Sequence, residues 1–377
     1  MKDRYARIVG WGRHVPARVV TNHELTQLVD TSDEWIRART GIVERRMVGP
    51  EDSCSSLATG AARAALESAR LDPADVDLVI VATVSGDYVL PATASLVQHA
   101  IGATRAGAFD LSAACAGFVY GLSIGTSLIE SGAHRNVVVI GAEAITREID
   151  FSDRGTCVLF GDGAGAVVLQ VSSEPTGLLS AVLGSDGSGA DALIVPAGGS
   201  RIPASVETVE SGQHFLKMKG NDVYRFAVSA MTQACRDAMA QAGLGPEDID
   251  LFVPHQANLR IIQSAAKNLK LPPEKVFINV DRYGNTSAAS IPIALSEAVE
   301  QGRLHQGDRV VMVGVGAGLS WAAAVVQWGI AVPPAAGGRR AGSEAAVHAL
   351  AGVAPGAADD PSGRNGRTDL GADVGHD

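Results

Sequence analysis

Three side chains of types that cooperate in acyl-transfer chemistry, Cys115, His255 and Asn285, each stand where a strand-like run gives way to a turn or helix. Cys115 lies in Ala113-Ala114-Cys115-Ala116-Gly117-Phe118, after the strand-like Ala108–Leu111 and ahead of a helical stretch. At such a junction the free N–H groups and the positive end of the helix dipole favour thiolate over thiol. Thiolate is the form that attacks a thioester. A small cysteine filling a core would leave the same local pattern. His255 follows the apolar run Phe252-Val253-Pro254, at the strand end where open α/β sheets present groups to ligands. A structural imidazole fits there equally. Asn285 sits in Asp281-Arg282-Tyr283-Gly284-Asn285-Thr286-Ser287, a segment that a simple turn and helix cap also explain.

The elements that must position these residues repeat. Ala-Arg-Leu-Asp-Pro-Ala-Asp-Val-Asp-Leu-Val at 69–79 matches Ala-Gly-Leu-Gly-Pro-Glu-Asp-Ile-Asp-Leu-Phe at 242–252, an offset of 173 (242 − 69). The same offset carries the run from Arg135 to Gly141 onto the run from Asp308 to Gly314. The core is therefore expected to be two copies of one α/β unit, 1–172 with the cysteine and 173–332 with the histidine and asparagine. Continuous apolar runs such as Leu78–Thr83, Val137–Ile140 and Val310–Val313 alternate with helical stretches, which predicts sheets covered on both faces. Two such halves packed together make a five-layer αβαβα sandwich. Residues 333–377 are rich in Ala and Gly and almost devoid of large apolar side chains, so they are expected to be a disordered tail, with one short helix near Ser343–Leu350.

Composition narrows the function classes. The net charge is −10, which disfavours general nucleic-acid binding. No apolar stretch reaches the roughly 20 residues of a membrane span, and the charged N-terminus lacks the apolar core of a secretory signal. The four cysteines are far apart with no C-x-x-C spacing, against a zinc site or a disulfide framework. A cytoplasmic enzyme without metal or cofactor is expected. The segments Gly161–Gly165 and Val313–Gly318 lack the full dinucleotide-binding pattern and read as tight turns.

Taken in order, Ser32-Asp-Glu-Trp35-Ile-Arg-Ala-Arg39-Thr-Gly-Ile42, Ala113-Ala-Cys115-Ala-Gly, Phe160-Gly-Asp-Gly-Ala-Gly165, His255-Gln-Ala-Asn258-Leu-Arg260 and Gly284-Asn285-Thr-Ser-Ala-Ala-Ser290 resemble the β-ketoacyl-acyl-carrier-protein synthase III family of thiolase-like condensing enzymes, over about 1–330. The resemblance implies a thiolase-like fold and a two-stage reaction. Cys115 takes an acyl group from acyl-CoA, and malonyl-acyl carrier protein then loses CO2 and attacks the acyl-cysteine, starting fatty acid biosynthesis. It further implies that His255 and Asn285 donate to the thioester oxygen, and that backbone N–H groups of Cys115 and Gly316 form a second oxyanion hole. Trp35 would stack on the CoA adenine, Arg39 and Arg154 contact the nucleotide, and Asn258 hydrogen-bond the pantetheine arm.

Acidic carrier proteins need local cations on so acidic an enzyme. Arg260 and Lys267, seven residues apart on one helix face, are expected to ring the tunnel mouth with Arg225, Lys217 and Lys219. In acetyl-preferring relatives a Phe precedes the Pro of the loop matching Tyr88-Val89-Leu90-Pro91. The resemblance implies that this loop crosses a homodimer to floor the partner's acyl pocket, where Leu90 would leave room for branched or longer primers. A starter-unit ketosynthase or acyltransferase of a polyketide or other secondary-metabolite pathway is the alternative. A thiolase would carry a second catalytic cysteine near the C-terminus, and none follows Cys235.

Overall fold

The computed structural model describes residues 4–330; the expected tail and its short helix lie outside the described residues. Two large sheets form the frame. In the first, β1 (Tyr5–His14), β2 (Leu78–Ala82), β3 (Gly107–Leu111), β4 (Asn136–Glu143) and β5 (Gly163–Ser172) lie in the order β1-β5-β4-β2-β3. In the second, β6 (Gly177–Ser185), β7 (Leu251–Pro254), β8 (Arg309–Gly316) and β9 (Ser320–Gln327) lie in the order β7-β8-β9-β6. The parallel pairs β4–β2, β2–β3 and β7–β8 occupy one end of each sheet, and antiparallel strands complete the other. All five residues of β2 are buried, as expected of a strand covered on both faces.

Helices α4 (Gly117–Glu130) and α7 (Ser290–Glu300) lie between the sheets. Phe118 and Leu122 from one, and Ile291 and Leu295 from the other, share a core with Ile80, Val139, Val253 and Met312. The outer face of the first sheet packs on α2 (Cys54–Ala69) and α3 (Thr93–Ile101) through Leu57, Ala61, Val97, Val79 and Val138. The outer face of the second packs on α5 (Gly220–Gln241) and α6 (Leu259–Leu269) through Met231, Ala238, Ile262, Val311 and Val325. A short helix α1 (Asp33–Thr40) buries Ile36 in that same cluster. The result is a five-layer thiolase-like sandwich. β2 and β7, β4 and β8, and α4 and α7 begin 173 residues apart (251 − 78, 309 − 136, 290 − 117).

Candidate active site

Cys115 sits on a tight elbow. β3 ends at Leu111, Ala114–Ala116 form one 3-10 turn, and α4 begins at Gly117. Ala114 takes a left-handed φ of 46°, which costs a side-chain-bearing residue about 1–2 kcal/mol and is held by the packing around it. That packing comes from the end of β8. A Cβ on Gly314 would lie 2.5 Å from the Cys115 carbonyl oxygen, and one on Gly316 would lie 2.7 Å from the Cys115 nitrogen. Only glycines let the two backbones approach this closely.

The second half repeats the elbow. Ser287–Ala289 form the matching 3-10 turn ahead of α7, and Ser287 has a φ of 47°. Asn285 is fixed by this turn: its Oδ1 accepts from the Ser287 N–H at 2.9 Å, and its own N–H donates to Leu159 at 2.8 Å. Among the described residues its amide Nδ2 has no partner, so it remains a free donor. His255 follows β7 and is 1% exposed, its N–H bonded to the Val313 carbonyl. Its Nδ1 pairs with the Ser290 hydroxyl at 2.6 Å. Burial drags the imidazole down to about 3, so the ring is neutral at physiological pH. A neutral ring that donates from Nε2 needs Nδ1 as acceptor, and Ser290 supplies the matching O–H.

The thiol differs from what the helix-end argument led to expect. Burial pushes Cys115 up to about 12, and the Glu143 carboxylate adds to it. A helix N-terminus offers only about 0.3–1 kcal/mol at most sites. The shift from an ordinary thiol exceeds that at about 1.4 kcal/mol per pKa unit. Resting Cys115 is therefore a thiol, and desolvation decides the matter.

Cys115, His255, Asn285, Gly316, Trp35, Arg39 and Asn258 all line one cavity of about 250 Å³. Arg154, beside it, places its guanidinium 4.9 Å from the Trp35 ring centre, and Arg39 lies 5.9 Å from it. Asn258 caps α6, accepting from the Arg260 N–H and donating to the Arg39 carbonyl, so much of its side chain is already engaged. Arg260 stacks over Tyr224 at 5.6 Å. Arg225 is held by Asp222 at 2.6 Å and Lys219 by Asp191 at 2.6 Å, whereas no ion pair joins Arg260 or Lys267 among the described residues. Leu90 is 85% exposed with Tyr88 and Val89, and lines neither cavity at Cys115 within its own chain.

Sequence reasoning missed a second cavity. It has a volume of about 460 Å³ and is lined by Cys115, Ile145, Glu148, Phe160, Leu193 and Leu216, among others. Burial and the nearby Glu143 push Glu148 up to about 7. Its lining comes from segments distant in sequence with no pattern in common, so nothing along the chain marks it. Ser287, Ser290 and Glu143 were missed as well. The first two lie inside the Asn285 motif, which was the available signal.

Comparison with known proteins completes the picture. Models of 3-oxoacyl-[acyl-carrier-protein] synthase III match residues 109–187, and those of its C-terminal part match 239–328. A β-ketoacyl-[acyl-carrier-protein] synthase III of Roseiflexus sp. (strain RS-1) is 56% identical over 324 residues, 86% of this chain and 98% of that protein. The crystal structure of the synthase III from Thermus thermophilus superposes with a TM-score of 0.81 at 48% identity, covering 86% of this chain and 99% of that one. The priming β-ketosynthase of the R1128 polyketide pathway has a TM-score of 0.81 at 39% identity, covering 88% and 98%.

Proposed function

The chain belongs to the 3-oxoacyl-[acyl-carrier-protein] synthase III family, and from that membership we propose that it condenses an acyl-CoA primer with malonyl-acyl carrier protein to begin fatty acid synthesis. The observation that carries the residue roles is the convergence of Cys115, His255, Asn285 and Gly316 on one cavity whose rim holds Trp35 and Arg39.

In the first stage the Cys115 sulfur attacks the thioester carbon of acyl-CoA and CoA departs with the thiol proton. The main chain at Cys115 and Gly316, in contact across the elbow, is the candidate cradle for the oxyanion. In the second stage the malonyl group loses CO2, leaving an enolate whose oxygen is met by two donors, His255 Nε2–H and Asn285 Nδ2–H. Preorganised donors of this kind are worth about 3–4 kcal/mol each. The enolate carbon attacks the acyl-cysteine, a C–C bond forms as the thioester C–S bond breaks, and Cys115 leaves as a thiolate that takes up a proton from water. Neutral His255 suits a donor role, and no step asks the ring to carry charge.

Arg260 and Lys267 are the better candidates for carrier-protein docking, because neighbouring carboxylates already engage Arg225 and Lys219. Arg260→Glu should raise the KM for malonyl-acyl carrier protein while leaving acylation by acyl-CoA intact; equal loss in both steps would exclude the docking role. The exposed Tyr88–Val89–Leu90 tip is the surface proposed to cross a homodimer. No helix among the described residues is long and apolar enough to cross a membrane, and four free thiols accord with a cytoplasmic site of action.

The second reading is priming of a polyketide, favoured by the likeness to the R1128 priming enzyme and by the volume of the second cavity. One experiment separates the readings. The enzyme is incubated with acetyl-, isobutyryl- or longer acyl-CoA, the intact mass of the Cys115 adduct is measured, and malonyl-acyl carrier protein is added. Acylation followed by discharge to a 3-oxoacyl product supports condensation, and the preferred primer distinguishes the two pathways. An unlabelled Cys115 refutes both.

A further inference from the structure

Beneath the nucleophile a chain of hydrogen bonds runs through Ser287, which lines the larger cavity, to a buried carboxylate. The Cys115 S–H donates to Ser287 Oγ at 3.5 Å, and the Ser287 hydroxyl donates to Glu143 Oε1 at 3.0 Å. Glu143 ends β4 and is fully buried. Its other oxygen, Oε2, accepts from the N–H groups of Val84 and Ser85 and from the hydroxyls of Thr83 and Ser85. The titratable groups around this carboxylate are Cys115, Cys54 and Glu148. Cys54 reaches it through Thr83 at 3.3 Å. His255 lines the same cavity as Cys115. Among the described residues no cation forms an ion pair with Glu143.

A serine hydroxyl has one proton to give. Glu143 Oε1 takes it, because every other donor to the carboxylate converges on Oε2. Ser287 can then offer Cys115 only a lone pair, which binds S–H and not S⁻. We propose that Glu143 is a positioning residue which, through the Ser287 hydroxyl, keeps Cys115 a hydrogen-bond donor, and therefore a thiol, in the substrate-free enzyme. The idea rests on Cys115 being the nucleophile of the proposed function. It adds that the nucleophile is kept latent: the proton leaves only when the new S–C bond forms and the thioester C–S bond breaks, ending on the CoA sulfur.

Replacing Glu143 by glutamine tests the direction of the chain. The amide oxygen takes the place of Oε2 under the same four donors, and the amide NH2 takes the place of Oε1. It then donates to Ser287, whose hydroxyl turns to donate to sulfur. The thiolate is stabilised and a neighbouring negative charge is lost. The measurement is the pH–rate profile of iodoacetamide alkylation on the full chain, with the adduct located on Cys115 by mass. It needs neither acyl-CoA nor carrier protein, so its outcome is independent of the condensation reading.

In the wild-type enzyme the rate should climb about tenfold per pH unit through pH 9, beyond the ordinary thiol range near 8.5. Glu143→Gln should alkylate about tenfold or more faster at pH 7, with the profile bending at lower pH. The double variant Glu143→Gln/Ser287→Ala should lose most of that gain. A Glu143→Gln profile that superposes on the wild type overturns the proposal. So does a wild-type profile that levels off below pH 8, which can be read even if the variant fails to fold.

Discussion

Gly316→Ala isolates the close approach on which the elbow depends. A Cβ at this position would stand 2.7 Å from the Cys115 nitrogen, 3.0 Å from the Ala114 Cβ and 3.1 Å from the Cys115 Cβ. The first contact is with backbone and cannot be relieved by rotating a side chain. Either β8 or the elbow must retreat by roughly half an ångström or more, and overpacking of this kind costs about 1–3 kcal/mol of stability. The same retreat separates the Cys115 and Gly316 main chains. Loss of one oxyanion donor lowers rates by about 10²–10³, and misplacement on the order of 1 Å can cost 10². Single-turnover acylation, followed by the intact mass of Cys115 after mixing with acyl-CoA, should therefore slow by at least about 10² in a variant that still melts cooperatively. A folded Gly316→Ala enzyme that acylates at the wild-type rate would falsify the reasoning. It would show that the elbow tolerates a methyl and that the oxyanion is held elsewhere.

Other consequences are as direct. With His255 held near 3 by burial, its folded pKa lies below its unfolded value, so the ring stays neutral and should leave no inflection near 6.5 in the pH profile of malonyl decarboxylation. For the same group the stability contribution is present above about 6.5 and lost as pH falls towards 3. Glu148 behaves oppositely to an ordinary surface carboxylate. Its folded pKa, about 7, is raised, so stability is full below the unfolded value and is lost as pH rises through 7. Glu148→Gln should raise Tm by about 1–3 °C at pH 8.5 and by progressively less towards pH 5, by calorimetry; an equal gain at both would remove the titration argument. Trp35→Ala removes the face beside Arg154 and Arg39. It should raise the KM for acyl-CoA several-fold, at about 0.5–2 kcal/mol for such a stacking partner, without slowing discharge by malonyl-acyl carrier protein.

Much of the frame could be read from the chain because burial on both sheet faces leaves continuous apolar runs. Leu78–Ala82 and Val137–Ile140 announce themselves in this way, and the repeat pairs them with Leu251–Pro254 and Val310–Val313. The edge strand β6 does not. Leu178 to Ser185 mixes half-buried and exposed positions around one buried residue, Ser180, and its pairing with β9 depends on contacts more than a hundred residues away. The positions of Cys115, His255 and Asn285 were legible because each lies at or just past the end of a recognisable run. The protonation of Cys115 was not, since helix polarity can be read locally whereas desolvation depends on residues from both halves. Glu143 escaped notice for a related reason: in sequence it is one carboxylate after an apolar strand, and only the fold brings Ser287 to it.

The doubled elbow has a further consequence. Position 316 in the second half corresponds to 143 in the first, 115 to 288, and 114 to 287, at the spacing that relates β4 to β8. The scaffold thus builds the seat of a nucleophile twice. In one seat Gly316 leaves the floor open beneath Cys115; in the other Ala288 takes the place of the cysteine, and a glutamate stands where the glycine would be. A molecule nearly symmetric in backbone is in this way handed in its chemistry, with one cradle armed and its twin plugged.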